Sequence, residues 1–271
     1  VAKDKDGILY DLGQGKIVEI TKSGWNVLST PPIAFRTLPH QKPQPEPVKG
    51  GDIRRILSYI NIRQDGDQLS GDALLFIVSL IASFVPDIVH PVVIFFGPQG
   101  SAKTTTSRIL KDLVDPSIID TAALPDSLKE LIQMLSHHLL IAFDNLGQLS
   151  DQFSDAFCRS VTGGGFSKRE LYTNDSDVVY SFKRILALNG INIVIDRPDL
   201  LDRSIIIGLE RVTRFEEEKK FWGNFTQDKP LLLGSIFDIL VLTLQNIETL
   251  PPINTVRLAD FMTFACAITK S

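Results

Sequence analysis

Residues 92 to 106, VVIFFGPQGSAKTTT, carry side chains whose types and spacing suit phosphate chemistry. Lys103 is a cation long enough to reach the β- and γ-oxygens of a bound polyphosphate, and the hydroxyl of Thr104 can complete a magnesium shell. Glycines let the backbone wrap closely, so that N–H groups point inward and the helix that follows adds its positive end. The expected cradle is Gly97, Pro98, Gln99, Gly100, Ser101, Ala102, Lys103, Thr104 and Thr105. One position departs from the pattern G-x-x-x-x-G-K-[ST]: Ala102 stands at the second glycine, and Gly100 two places earlier supplies the flexibility. The positioning elements are a strand and a helix. Val92 to Phe96 has the length and composition of a buried parallel strand, and a helix starts by Lys103.

A second constellation follows. His138 to Phe143 (HLLIAF) reads as another buried strand, ending in Asp144-Asn145. An aspartate at the end of such a strand can hold the same magnesium from the side opposite Thr104. A carboxylate at the next position would take a proton from water, but Asn145 can only orient it. Asp151 and Asp155 are the remaining candidates for a base, and His137 and His138 read as structural. A third apolar run, Ile185 to Leu188, ends in Asn189, whose amide is expected near the γ-phosphate. Arg203, 14 residues further on, and Arg197 are candidates to act on the phosphate of a neighbouring subunit. The alternative for Arg203 is an ion pair with Asp199 or Asp202.

Between these strands lies a predicted β-hairpin, with runs Phe166 to Thr173 and Val178 to Arg184 around an Asn174-Asp175-Ser176-Asp177 turn. Lys168, Arg169, Lys183 and Arg184 flank it, with Tyr172 and Tyr180 interleaved. Such cations take phosphates and such tyrosines stack on bases, which makes a DNA contact; an ordinary solvated hairpin is the other reading.

The rest is scaffold. Short strands are expected at Ile8–Tyr10, Lys16–Thr21, Trp25–Leu28 and Ile33–Arg36, then an extended Pro-rich connector in which His40 is solvated. Asp52 caps a helix with apolar positions Ile53, Ile56, Leu57 and Ile60. Ala73 to Val85, 13 residues, is too short to span a bilayer and reads as a core helix. Ser127 and Glu130 form a capping box. The tail is predicted as helices over Phe215–Trp222, Pro230–Ile247 and Leu258–Ile268. Two cysteines exclude a disulfide framework and fit a reducing cytoplasm. A net charge of −4 argues against a generic nucleic-acid coat, so any DNA contact must be local. The chain opens at Val1 in mid-pattern, as a piece of something longer would.

Together GPQGSAKTT, LLIAFDN, TGGGF, LALNG and RPDLLDR resemble the AAA+ ATPase module of superfamily 3 helicase type found in phage, plasmid and mobile-element primase-helicase proteins. The resemblance runs from about residue 47 to the end. It implies an α/β P-loop NTPase with a mainly parallel central sheet flanked by helices, a small N-terminal β element and a C-terminal helical lid. The corresponding division is 1–38 β element, 39–50 linker, 51–90 helical lead-in, 91–212 ATPase core and 213–271 lid. It also implies ATP and Mg2+ as cofactors and a homo-oligomeric ring, usually hexameric. Single-stranded or forked DNA is expected in the channel, a primase/polymerase domain is expected as a partner, and no membrane. By position, Lys103 and Thr104 would hold phosphate and metal, Asp144 the metal, Asn189 the γ-phosphate, and Arg203 would be the finger with Arg197 second. Arg257 is a weaker candidate for a second sensor. Three functions remain open: a DNA helicase or translocase, an ATPase that loads a replication partner, and an ATP-binding assembly module with little turnover.

Overall fold

The computed structural model describes residues 1–4, 7–66, 68–169, 177–190, 197–213, 215–251, 253 and 257–271, with the backbone alone at 167–169 and 177–180. The chain opens with four strands, β1 (Ala2–Asp4), β2 (Gly7–Gly13), β3 (Lys16–Thr21) and β4 (Gly24–Leu28), paired antiparallel in sequence order. Ile33–Arg36 is not a strand: Pro31 and Pro32 bring no N–H to a ladder, and Ile33 stays exposed. The helix expected after Asp52 is a 3-10 turn, Ile53–Ser58, started by Asp52 accepting from the Arg54 N–H.

Next come α1 (Gly71–Ala82), β5 (Val92–Phe96), α2 (Lys103–Val114), α3 (Leu128–His137), β6 (Leu140–Leu146) and α4 (Asp151–Thr162). The hairpin strands β7 (Phe166–Arg169) and β8 (Asp177–Tyr180) pair antiparallel; Tyr172 and Asn174–Ser176 of the expected turn lie outside the described residues. Then follow β9 (Ile185–Gly190), α5 (Pro198–Leu201) and β10 (Ser204–Gly208). The central sheet has the order β10-β5-β9-β6 and every pair in it is parallel. Near-continuous apolar strands demand this, because such a sheet is covered on both faces. On the outer edge of β6, Ala122 adds a single parallel bridge to Phe143.

The last two helices are α6 (Glu218–Asn246) and α7 (Ala259–Thr269). α6 runs 29 residues with Pro230 inside, where two separate helices were expected. An internal proline costs about 3 kcal/mol. Buried Phe225 before it and Leu232, Leu233, Ile236 and Phe237 after it outweigh that cost by anchoring both halves to one core. Together with the 3-10 turn that follows it, this is the one helix among the described residues that is long and apolar enough to cross a membrane, and 44% of its most apolar window is buried inside the protein. The small sheet shares the same hydrophobic core: Tyr10 and Trp25 pack on Phe237, and the Trp25 indole N–H donates to Asp238 at 2.7 Å.

One buried polar node joins α2 to β6. Lys111, 2% exposed, donates to the Asp115 carboxylate (2.6 Å) and the Leu140 carbonyl (2.7 Å) and meets His138 Nδ1 at 3.2 Å. Asp115 also accepts from the Leu139 and Leu140 N–H groups. Burial, then the Lys111 charge, pushes His138 down to about 4, so it is neutral and its Nδ1 can accept. His40 is not solvated as expected; its ring lies 4.2 Å from that of His138, covering the node. Lys111→Met should lower stability by about 3–5 kcal/mol, because it strands a buried carboxylate. Lys16→Met, which removes the exposed pair with Glu46, should cost less than about 1 kcal/mol. Urea midpoints at unchanged m-value check both, and equal losses would contradict the assignment.

Candidate functional site

β5, the loop after it and α2 form the phosphate-loop geometry expected from the sequence. Gly97 is required by close approach: a Cβ there would lie 2.4 Å from the Leu209 carbonyl oxygen and 2.8 Å from Ser101 Oγ. Gly100 has φ +78°, and its carbonyl accepts from the Val212 N–H at 2.9 Å, which ties the loop to the segment after β10. Ala102 adopts φ 61°, ψ 31°, the left-handed conformation for which the pattern reserves glycine. The alanine therefore holds that geometry at a cost of about 1–2 kcal/mol.

Lys103 turns its ammonium back onto the loop, donating to the carbonyls of Gly97 (2.8 Å) and Pro98 (3.0 Å) and approaching Ser101 Oγ at 3.5 Å. Polyphosphate oxygens can replace these acceptors with little movement of the side chain. Thr104 Oγ1 donates to Asp144 Oδ1 at 3.1 Å, joining the first turn of α2 to the end of β6. Two neighbouring oxygens of an octahedral magnesium shell with 2.0–2.1 Å bonds stand about 3 Å apart, so this pair fits the ion. Among the described residues no group of three or more His, Cys, Asp or Glu side chains could hold a metal.

Asn189, the last residue but one of β9, lies between them. It is 3% exposed; its Nδ2 donates to Ser107 Oγ at 3.0 Å and its Oδ1 accepts from the Asn145 N–H at 3.1 Å. Both functions of the amide are thus engaged in tying α2 to the end of β6, beside the expected γ-phosphate position. Asn145 has φ 53° and an exposed side chain, a conformation that asparagine tolerates better than most residues. Ser107 is a site residue that the sequence reading missed; its position one turn after Lys103, on the same helix, was the available signal.

The arginines lie elsewhere. Arg203 precedes β10 and its carbonyl accepts from the N–H of Val92, the first residue of β5. The phosphate loop leaves the other end of that strand, about 16 Å away for five residues at ~3.3 Å each. Arg203 therefore cannot serve its own loop. It is 15% exposed and paired with Asp199 at 2.5 Å, as the alternative reading had it. Hydrogen bonds from Arg203, then Cys158, hold the Asp199 carboxyl down at about 2. Arg257, considered as a second sensor, pairs instead with Asp199 and Asp202. Arg197, 40% exposed, meets both Asp151 and Asp155 at 3.4 Å, so these two carboxylates are ion-paired.

Two of the four expected DNA cations are engaged in structure. The Lys183 ammonium donates to the Asp87 carbonyl while its stem would crowd any side chain at Gly163. Arg184 donates to the Leu135 carbonyl, stacks 4.5 Å over Phe182 and is shifted down by burial. Both anchor the base of the hairpin, because that is where the chain leaves β8 to enter the buried strand β9. Lys168 and Arg169 lie on β7, where the backbone alone is described.

The fold is similar to that of the apo NrS-1 C-terminal region, with a TM-score of 0.51 at 13% identity over 97% of this chain and 72% of that one. Its A form aligns with a TM-score of 0.49 at 14% identity, and there the chain covers 84% of itself and spans 65% of the other's length. A structure of JCV helicase aligns at 13% identity over 80% of this chain and 65% of that one, with a TM-score of 0.33. No curated protein matches the sequence. Residues 63–270 match the family model of the Actinomycete integrative conjugative element replication protein. The chain belongs to that family of mobile-element replication proteins, and its fold is that of an α/β P-loop NTPase.

Proposed function

We propose that this chain is the ATP-hydrolysing motor module of a mobile-element replication protein, acting between subunits of a ring to translocate on or unwind DNA. The observation that carries this reading is the Thr104–Asp144 contact beside Lys103, spanning α2 and β6 with Asn189 between them. Lys103 exchanges the loop carbonyls for β- and γ-phosphate oxygens. Thr104 and Asp144 would hold Mg2+, which when bound would supply charge neutralisation at the phosphates. Asn189 keeps the Asn145 backbone in place, and the exposed Asn145 amide orients the attacking water. Arg203, released from Asp199, reaches the phosphate of the neighbouring subunit, with Arg197 as second choice. Lys168 and Arg169 are the remaining candidates for DNA phosphates.

A second reading is favoured by Asn145, which cannot take a proton, and by the ion-paired Asp151 and Asp155. In it the chain binds ATP to assemble and turns over slowly. Steady-state ATP hydrolysis with magnesium, across added single-stranded DNA, separates the two. The motor reading requires turnover that DNA stimulates several-fold; bound ATP with flat turnover supports the assembly reading. Lys103→Ala should abolish turnover in either case.

Arg203→Ala should bind nucleotide as tightly as the parent yet lose about three orders of magnitude in turnover. Mixed with wild-type chain, it should depress activity beyond its own fraction, because each finger serves a neighbour. Normal hydrolysis by this variant would move the role to Arg197, where the same mixing assay applies.

A further inference from the structure

Arg203 starts from a closed grip. Its Nη1 meets Asp199 Oδ1 at 2.5 Å and donates to the Asp199 carbonyl at 2.7 Å. To act on a neighbour it must leave that carboxylate, and an unpaired carboxylate draws it back. Arg257 addresses the same atom. Its Nη2 donates to Asp199 Oδ1 at 2.7 Å, while its Nη1 reaches Asp202 Oδ2 at 3.2 Å. Asp199 also accepts from the Cys158 thiol of α4. One carboxylate oxygen therefore carries two guanidinium groups, whose like charges repel each other across it. The two arginines belong to different parts of the chain. Arg203 lies two residues beyond the end of α5, whereas Arg257 stands two residues before α7, whose Phe261 and Ile268 are buried in the main core.

We propose that Arg257 is a positioning residue that frees the finger: it shares Asp199 with Arg203, so that Arg203 leaves without stranding the carboxylate. The proposal rests on the finger reading above and adds to it the group that lets the arginine go. Asp202 holds Arg257 by its other nitrogen, so the competing cation stays in place when Arg203 swings out. The Cys158 thiol keeps a further bond on Asp199 through the exchange. The grip on Arg203 is thereby set by where α7 places Arg257, which ties the finger to the helical tail. Without Arg257, Arg203 is the one guanidinium on Asp199 among the described residues, and its hold tightens. The pairs involving Arg257 are about half exposed, so the worth of an exposed ion pair sets the effect at about two- to fivefold.

The test compares steady-state ATP turnover, with magnesium and single-stranded DNA, and ADP affinity for wild type, Arg257→Ala, Arg257→Lys, Asp199→Asn and the double variant Arg257→Ala/Asp199→Asn. Arg203→Ala serves as the reference for loss of the finger. Arg257→Ala should bind ADP as wild type does and turn over about two- to fivefold more slowly at unchanged KM. Arg257→Lys should keep most of the turnover, because one cation remains on Asp199. Asp199→Asn should be at least as fast as wild type. The double variant should match Asp199→Asn, because without the carboxylate there is no grip for Arg257 to relieve. Wild-type turnover by Arg257→Ala overturns the proposal, as does a deficit that persists in the double variant. A slower Asp199→Asn also overturns it, because Asp199 would then steer the finger instead of holding it back. No turnover by wild type, or normal turnover by Arg203→Ala, overturns the finger reading and this proposal with it.

Discussion

The contact between Thr104 and Asp144 is the constraint on which the rest of the site depends. It spans the sheet at the ends of its strands, linking the helix after β5 to the end of β6 although β9 lies between those strands. Beneath it runs a second tie through the same three elements, from Ser107 through buried Asn189 to the Asn145 backbone. A buried amide with both functions satisfied cannot turn without leaving a polar atom unpaired, at a cost of about 1–3 kcal/mol. The two oxygens are therefore held about one magnesium edge apart before any ligand arrives. Such preorganisation lowers the cost of binding and of charge development alike.

α6 carries that rigidity away from the site. Buried Lys229 pairs with Asp112 of α2 at 2.6 Å, while Asp228 accepts from Arg55 and Tyr59 of the lead-in turn. Further along, Asp238 holds Trp25 of the small sheet. The close packing extends to the connector, where Gly234 leaves no room for a Cβ beneath the Val48 carbonyl. Of these charged pairs the Lys229–Asp112 one is largely buried, so it does not exchange readily for water and fixes α6 against α2. At the opposite end of the strands the arginine cluster around Asp199 faces away from its own loop.

Much of this was legible in the sequence, and for definite reasons. The glycine loop, Lys103, Thr104, Asp144 and Asn189 each follow or end an apolar strand, and a parallel sheet aligns strand ends by construction. What escaped was set by distant partners. Ser107 was marked only by its place one turn after Lys103, and its partner Asn189 lies 82 residues away. His40 looked solvated because nothing nearby in sequence hinted at His138. Pro230 read as a helix start because the buried residues on both sides of it give no local sign that they share one core. Lys183 and Arg184 looked free because their acceptors are backbone carbonyls on other elements, to which composition is blind. The strand expected at Ile33–Arg36 failed because β propensity alone does not supply a neighbour to pair with.

The most direct measurement of the central claim is the affinity of ADP for the wild-type chain and for Asp144→Asn, each with magnesium and with EDTA. Asparagine can still accept from Thr104, so the fold around the site is kept while the metal-binding charge is removed. The account predicts that magnesium tightens ADP binding to wild type at least tenfold, that Asp144→Asn loses most of this gain, and that affinities in EDTA match. No binding by wild type, or an undiminished magnesium effect in Asp144→Asn, would contradict it.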